Sequence, residues 1–102
     1  MRKGDKELAD LEQVFAALAH ASRRQILLAL WFRGGAMSAG QIAERFSCKW
    51  PTITRHLNLL VSAGLVHVRK EGRERFYTLD RDRLIEVAGG WLRWFEAKGN
   101  TP

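Results

Sequence analysis

Apolar positions along the chain recur first at helical spacing and then, over one short stretch, at alternate residues. Leu8, Leu11, Phe15 and Leu18 follow steps of three and four, which predicts an amphipathic helix from about Asp5 to Ala19. "HAS" interrupts it, and Ser22 is expected to cap a second helix through "RRQILLALWF", with Ile26, Leu27, Leu30 and Trp31 as its buried face. "RGGA" ends that helix, because glycine adopts the left-handed conformations that a helix stop needs. Ser38 with Gln41 three residues on forms a capping-box pattern and opens a short third helix carrying Ile42, Ala43 and Phe46. The fourth helix is predicted from about Trp50 to Ser62, with Pro51 tolerated in the first turn and Gly64 at the stop.

From Leu65 the period becomes two. "LVHVRK" reads as a strand, "EGRE" as a turn and "RFYTL" as the returning strand. Asp80 caps a last helix with Leu84, Val87, Ala88, Trp91, Trp94 and Phe95 on one side. The expected fold class is mainly α (α+β), in the order α-α-α-α-β-β-α. With no repeat and no Pro/Ser-rich linker, residues 1–102 are expected to form a single domain. A chain of 102 residues leaves much apolar surface uncovered, so self-association is expected.

On a wheel of about 100° per residue, "PTITRHLNLLVSA" places Ile53, Leu57, Leu60 and Val61 together, with His56 and Ala63 at the edge. Thr54, Arg55, Asn58 and Ser62 lie opposite, flanked by Thr52 and Leu59. A short helix, a tight turn and a helix with this outer side match a helix-turn-helix. Thr can touch thymine methyls and base edges, Arg can bind guanine through two bonds, and Asn can do the same with adenine. Charge changes the picture further. Of the net charge of +6, residues 45–75 supply five, with seven Lys/Arg against two Asp/Glu, and no acid occurs from Arg45 through Lys70. A basic stretch is ordinarily a solvated face. Coinciding with this helix and a hairpin bearing Arg69, Lys70, Arg73 and Arg75, it reads as an electrostatic footprint for phosphates.

"LAHASRRQILLAL", "MSAGQIAERF", "PTITRHLNLLVSAGLV" and "GRERFYTL" resemble, in order and spacing, the winged-helix repressors of the ArsR/SmtB (arsenic-repressor) type, over about Leu11 to Phe95. The resemblance implies a cytoplasmic, dimeric winged helix-turn-helix protein that represses transcription from a partly palindromic double-stranded DNA operator, often its own promoter. It implies reading positions at Thr52, Thr54 and Arg55 and wing contacts at Arg69, Lys70, Arg73 and Arg75; the residues themselves add Asn58 and Lys49 as candidates on the reading helix. His56 falls at a position expected to be structural. Lys49 stands where relatives often carry a capping Ser, a departure that bears on how this helix begins.

Metal-sensing relatives place cysteines in the helix before the turn, or His and carboxylates on the last helix. "SAGQIAERF" has neither Cys nor His, and the last helix has no His, so no metal and no cofactor are expected. His20, Cys48, His56 and His67 are scattered; Cys48, beside Lys49, is a minor redox candidate in the turn. Any inducer is unknown from sequence. No phosphate loop, nucleophile motif or carboxylate pair points to an enzyme, and Ser22 beside His20 reads as local capping. No apolar run approaches the length of a membrane span, and "MRKGDKELADLEQ", with no hydrophobic core behind its charged start, is not expected to act as a signal peptide. One cysteine fits a reducing cytoplasm. The alternatives are a winged-helix protein–protein interaction module and a thiol- or ligand-gated version of the same repressor.

Trp91, Trp94 and Phe95 exceed what so small a domain needs to bury. With Leu8, Leu11 and Phe15 they are expected to form a two-fold dimer interface from helices 5–19 and 80–97. Gly89 and Gly90 interrupt that last helix at a cost of about 1 kcal/mol each relative to Ala. A close partner backbone, a kink and a small ligand cavity all remain open readings of the pair.

Overall fold

The computed structural model describes residues 3–46 and 49–96, so Cys48 and its redox reading lie outside the described residues. The elements run α1 (Lys3–Leu18), α2 (Ala21–Phe32), β1 (Ala36–Ser38), α3 (Ala39–Arg45), α4 (Trp50–Ser62), β2 (Val66–Glu71), β3 (Glu74–Leu79) and α5 (Arg81–Glu96). The fourth helix has the bounds its pattern predicts, and the hairpin and last helix fall within a residue or two of theirs.

Where the structure departs from the sequence reading, tertiary partners decide. The order gains a strand: β1 pairs antiparallel with β3, Met37 opposite Tyr77, so the sheet has three strands in the order β1-β3-β2. Three residues are too few to show an alternation, and this strand exists only because β3 offers it an edge. His20, and not Ser22, caps α2; its backbone is extended, and its Nδ1 accepts the Ser22 N–H at 3.1 Å. Trp31 is half exposed at 51%, under the Arg81 guanidinium at 5.5 Å, and Ala29 takes the buried place on α2. In α1 the core residues are Val14 and Ala17, one position off the predicted stripe, while Leu8 is 60% exposed.

The core draws Val14 from α1, Ile26 and Leu30 from α2, Ile42 from α3, and Ile53, Leu57 and Leu60 from α4. Leu65 and Val66 complete the set of fully buried side chains. Each such aliphatic side chain stabilises the fold by about 1.5–3 kcal/mol, and three on α4 fix which side of that helix faces out. The capping box on α3 forms as expected, Ser38 Oγ accepting the Gln41 N–H at 3.1 Å and Gln41 Oε1 the Ser38 N–H at 2.9 Å. Gly64 ends α4 at φ +77°, with the Arg83 guanidinium 3.1 Å from where a Cβ would stand, so both conformation and space call for glycine.

Along α5 no residue is buried; Leu84, Val87 and Ala88 lean on the core from outside. Polar contacts complete its attachment. Asp80 Oδ1 accepts the Arg83 N–H at 2.9 Å as the predicted cap, Arg83 pairs with Asp10 of α1 at 3.4 Å, and Arg83 Nε donates to the Ala63 carbonyl at 3.3 Å. The backbone N–H of Arg83, and then His67, hold the Asp80 carboxyl below its usual range.

Candidate nucleic-acid interface

On α4, Ile53, His56, Leu57 and Leu60 are buried, which turns Thr52, Arg55 and Asn58 to solvent. Thr54 is half buried at the edge of that outer side. Lys49 begins the helix with an extended backbone and makes no side-chain cap; its carbonyl accepts the N–H groups of Thr52 and Ile53. A basic residue therefore occupies the position from which a capping hydroxyl would otherwise take up backbone donors, at a helix N-terminus that already favours anions. No acid lies in the first turn.

That turn opens on Trp50, which the sequence reading passed over. It is 48% exposed and lines a cleft of about 580 Å³ together with Gly40 and Ala43 of α3 and Arg73, Glu74 and Arg75 of the wing. Its signal was present in the "WP" step: a tryptophan in the first turn of a helix, before a proline, is poorly placed to reach a core. The hairpin turns on Gly72, whose φ of +61° fits the first loop position of a type II′ turn. This brings Arg73 to the tip.

Register divides the four predicted wing cations. Lys70 and Arg75 are directly opposed across β2 and β3, on the side that continues Val68–Tyr77 and Val66–Leu79 toward the core. Opposed like charges in a ladder are unfavourable unless an anion lies between or above them. Arg69 points to the other side, bonds Glu71 Oε1 at 2.7 Å and covers the Phe76 ring at 5.3 Å. The structure thus brings Arg73 and Arg75 to the cleft beside Trp50, and leaves Arg69 already engaged within the hairpin.

The buried His56 receives a hydrogen bond on Nδ1 from an Arg23 terminal nitrogen at 3.1 Å. Burial first, and the neighbouring positive groups His20, Arg23 and Arg55 after it, hold its pKa below the usual 6.5. That occupied, inward imidazole matches the structural role expected for it.

The second predicted surface lies along α1 and α5. Leu8, Trp94 and Phe95 are 60%, 71% and 70% exposed, and Trp91 is 42% exposed while stacking edge-on against Phe15 at 5.3 Å. Leu11 and Phe15 are half buried. The helix runs continuously through Gly89 and Gly90. A Cβ on Gly89 would meet only side chains, at 3.6 and 3.7 Å, and one on Gly90 a side chain at 4.0 Å, so the chain's own packing demands neither glycine. Among the described residues no three His, Cys, Asp or Glu side chains are grouped to hold a metal ion, and no helix is long and apolar enough to cross a membrane.

A helical core drawn from α1 to α4, a three-stranded sheet and a cationic hairpin beside an outward helix define a winged helix-turn-helix regulator. Residues 18–69 match the family model described as a helix-turn-helix domain. The chain is 34% identical to the transcriptional repressor SdpR of Bacillus subtilis over 89% of its own length and 98% of that protein's. An ArsR-like transcriptional regulator from Rhodococcus sp. RHA1 has a similar structure, with a TM-score of 0.74 and 35% identity over 87% of this chain and 82% of that one. So has the homodimeric winged helix-turn-helix DNA-binding domain of a possible ArsR-family regulator from Mycobacterium bovis, with a TM-score of 0.72 and 26% identity over 100% and 94%. The chain belongs to the ArsR family of transcriptional regulators.

Proposed function

We propose that this chain is a homodimeric repressor that reads a partly palindromic duplex DNA operator in the cytoplasm, without a bound metal. Two α4 helices enter successive major grooves about one helical turn apart. Thr52, Thr54, Arg55 and Asn58 face base edges, Lys49 meets a phosphate near the helix start, and Lys70, Arg73 and Arg75 follow the flanking backbone. Arg69 contributes at the outer edge of the wing. Leu8, Leu11, Phe15, Trp91, Trp94 and Phe95 join the two copies through α1 and α5. The carrying observation is the outward side of α4, which has no acid and whose first residue, Trp50, shares a cleft with Arg73 and Arg75 of the wing.

Duplex binding measured by anisotropy over increasing salt tests this reading. Affinity is expected to fall steeply and linearly on a log–log scale, because each neutralised phosphate releases counterion. Affinity for duplex DNA that is absent, or indifferent to salt, would sink it.

A further inference from the structure

Arg23 stands where three helices meet. It lies in the first turn of α2, yet its guanidinium serves two helices to which it does not belong. Nε donates to the Ala17 carbonyl at 2.7 Å and one terminal nitrogen to the Ala16 carbonyl at 3.2 Å, both in the last turn of α1. The other terminal nitrogen donates to His56 Nδ1 at 3.1 Å. Carbonyls at a helix C-terminus lack intrahelical partners and attract a cation, so one planar fork ties the end of α1 to the inner side of α4. His56 is one of two buried polar side chains among the described residues, at 6% exposure, and follows Arg55 directly. To accept at Nδ1 its ring must be neutral, with the proton on Nε2.

The groups facing His56 are basic on every side. Arg23 and the His20 ring, centred 4.5 Å away, come from the start of α2, and Arg55 from its own helix; α1 adds the Ala16 and Ala17 carbonyls through Arg23. A protonated His56 would lose its accepting lone pair and set a second cation at 3.1 Å from Arg23, with no carboxylate among the groups acting on it.

We propose that Arg23 is the positioning residue of the reading helix, that neutral His56 is its acceptor, and that proton uptake at His56 releases α4 and weakens specific DNA binding. The inference rests on the DNA-reading function above. Because α1 belongs to the dimer surface, the same fork transmits the dimer's geometry to α4 and so sets the spacing of the two reading helices. Burial holding His56 below its ordinary pKa agrees with a locked, neutral ring. Lysine could not replace Arg23, since a single ammonium does not reproduce a planar fork with donors on three nitrogens.

The test uses the full chain and a duplex of about 30 base pairs, enriched by the wild type from a random pool at about pH 8, with an unrelated duplex as control. Affinities are measured from about pH 8 to about pH 5.5 at constant ionic strength, the range over which imidazoles titrate. Wild-type affinity for the enriched duplex is expected to fall about tenfold, one proton being excluded per protomer. The control should not weaken over the same range, because it does not depend on the placement of the reading helix. His56→Asn offers an amide oxygen near the Nδ1 position and does not titrate. It should bind somewhat less tightly at high pH and then stay level as the pH falls. Arg23→Lys should lose specific affinity already at high pH with an unchanged sedimentation coefficient. A wild type whose specific affinity ignores pH, or a His56→Asn variant that follows the wild-type curve, overturns the inference alone; a wild type that enriches no duplex overturns the DNA-reading function with it. Should His56→Asn not fold, imidazole nitrogen shifts of the wild type decide. DNA must keep His56 neutral at a pH where the free protein takes up the proton, and identical titrations free and bound reject the lock.

Discussion

Helices α4 and α5 show the same kind of apolar stripe in sequence and meet opposite fates. The first buries Ile53, His56, Leu57 and Leu60 and presents its polar side. The second fully buries no residue, and Trp94 and Phe95 are the most exposed large apolar side chains among the described residues after Phe32. Periodicity reveals that a helix has an apolar side; it does not say whether the chain itself or another copy covers it. For α4 the covering is internal, so its function lies on the opposite side. In α5 Leu84, Val87 and Ala88 lean on the core while Trp94 and Phe95 are left exposed within one copy, which is what a two-fold interface of an ArsR-type dimer would use.

The sharpest way to break this contrast is to truncate matched positions and unfold both variants in denaturant. Leu57→Ala is expected to cost about 2–5 kcal/mol at every protein concentration, the penalty of a buried cavity. Phe95→Ala should cost stability chiefly through the dimer, so its loss should shrink as the protein is diluted. Equal, concentration-independent losses would erase the distinction. Charging the second surface comes next. Leu8→Asp with Phe95→Asp should leave a folded monomer by sedimentation and circular dichroism, with specific DNA affinity falling because only one half-site is held.

Effects confined to the first surface are smaller and differ in kind. Arg55→Ala is expected to cost about 1–3 kcal/mol at one base pair and to relax preference there, as read by competition among single-base operator variants. Arg73→Ala should weaken all duplexes alike and lower the salt slope by about one per protomer. Smallest is a pH effect on stability. The folded pKa of His56 lies below the ordinary 6.5, so its contribution is complete above that value and is lost as pH falls through the depressed folded value, where the unfolded chain binds the extra proton more readily. Thermal unfolding of His56→Asn should show less of this acid loss than the wild type.

Much of this was legible in the letters because the signals were local. Ser38 and Gln41 set a helix start within four residues, and the apolar spacing of Ile53, Leu57 and Leu60 fixed the orientation of α4 without help from elsewhere. What escaped depended on distant chain. β1 is a strand only against β3, Trp31 lies outside under Arg81 from the distant α5, and Arg69 is separated from Lys70 by strand alternation that a count of basic residues ignores. The Arg23–His56 contact spans 33 positions and carries no spacing pattern at all. On the interface itself, Trp50 went unread because aromatic letters suggest core.

The central claim, that the outer side of α4 and the adjoining wing read duplex DNA as a two-fold pair, is tested most directly by selecting bound duplexes from a random pool with the wild-type chain. The account predicts an enriched sequence with two inverted half-sites centred about 10 base pairs apart, whose conserved positions blur when the selection is repeated with Arg55→Ala. A pool that stays random, or an enriched motif unchanged by that substitution, would contradict it.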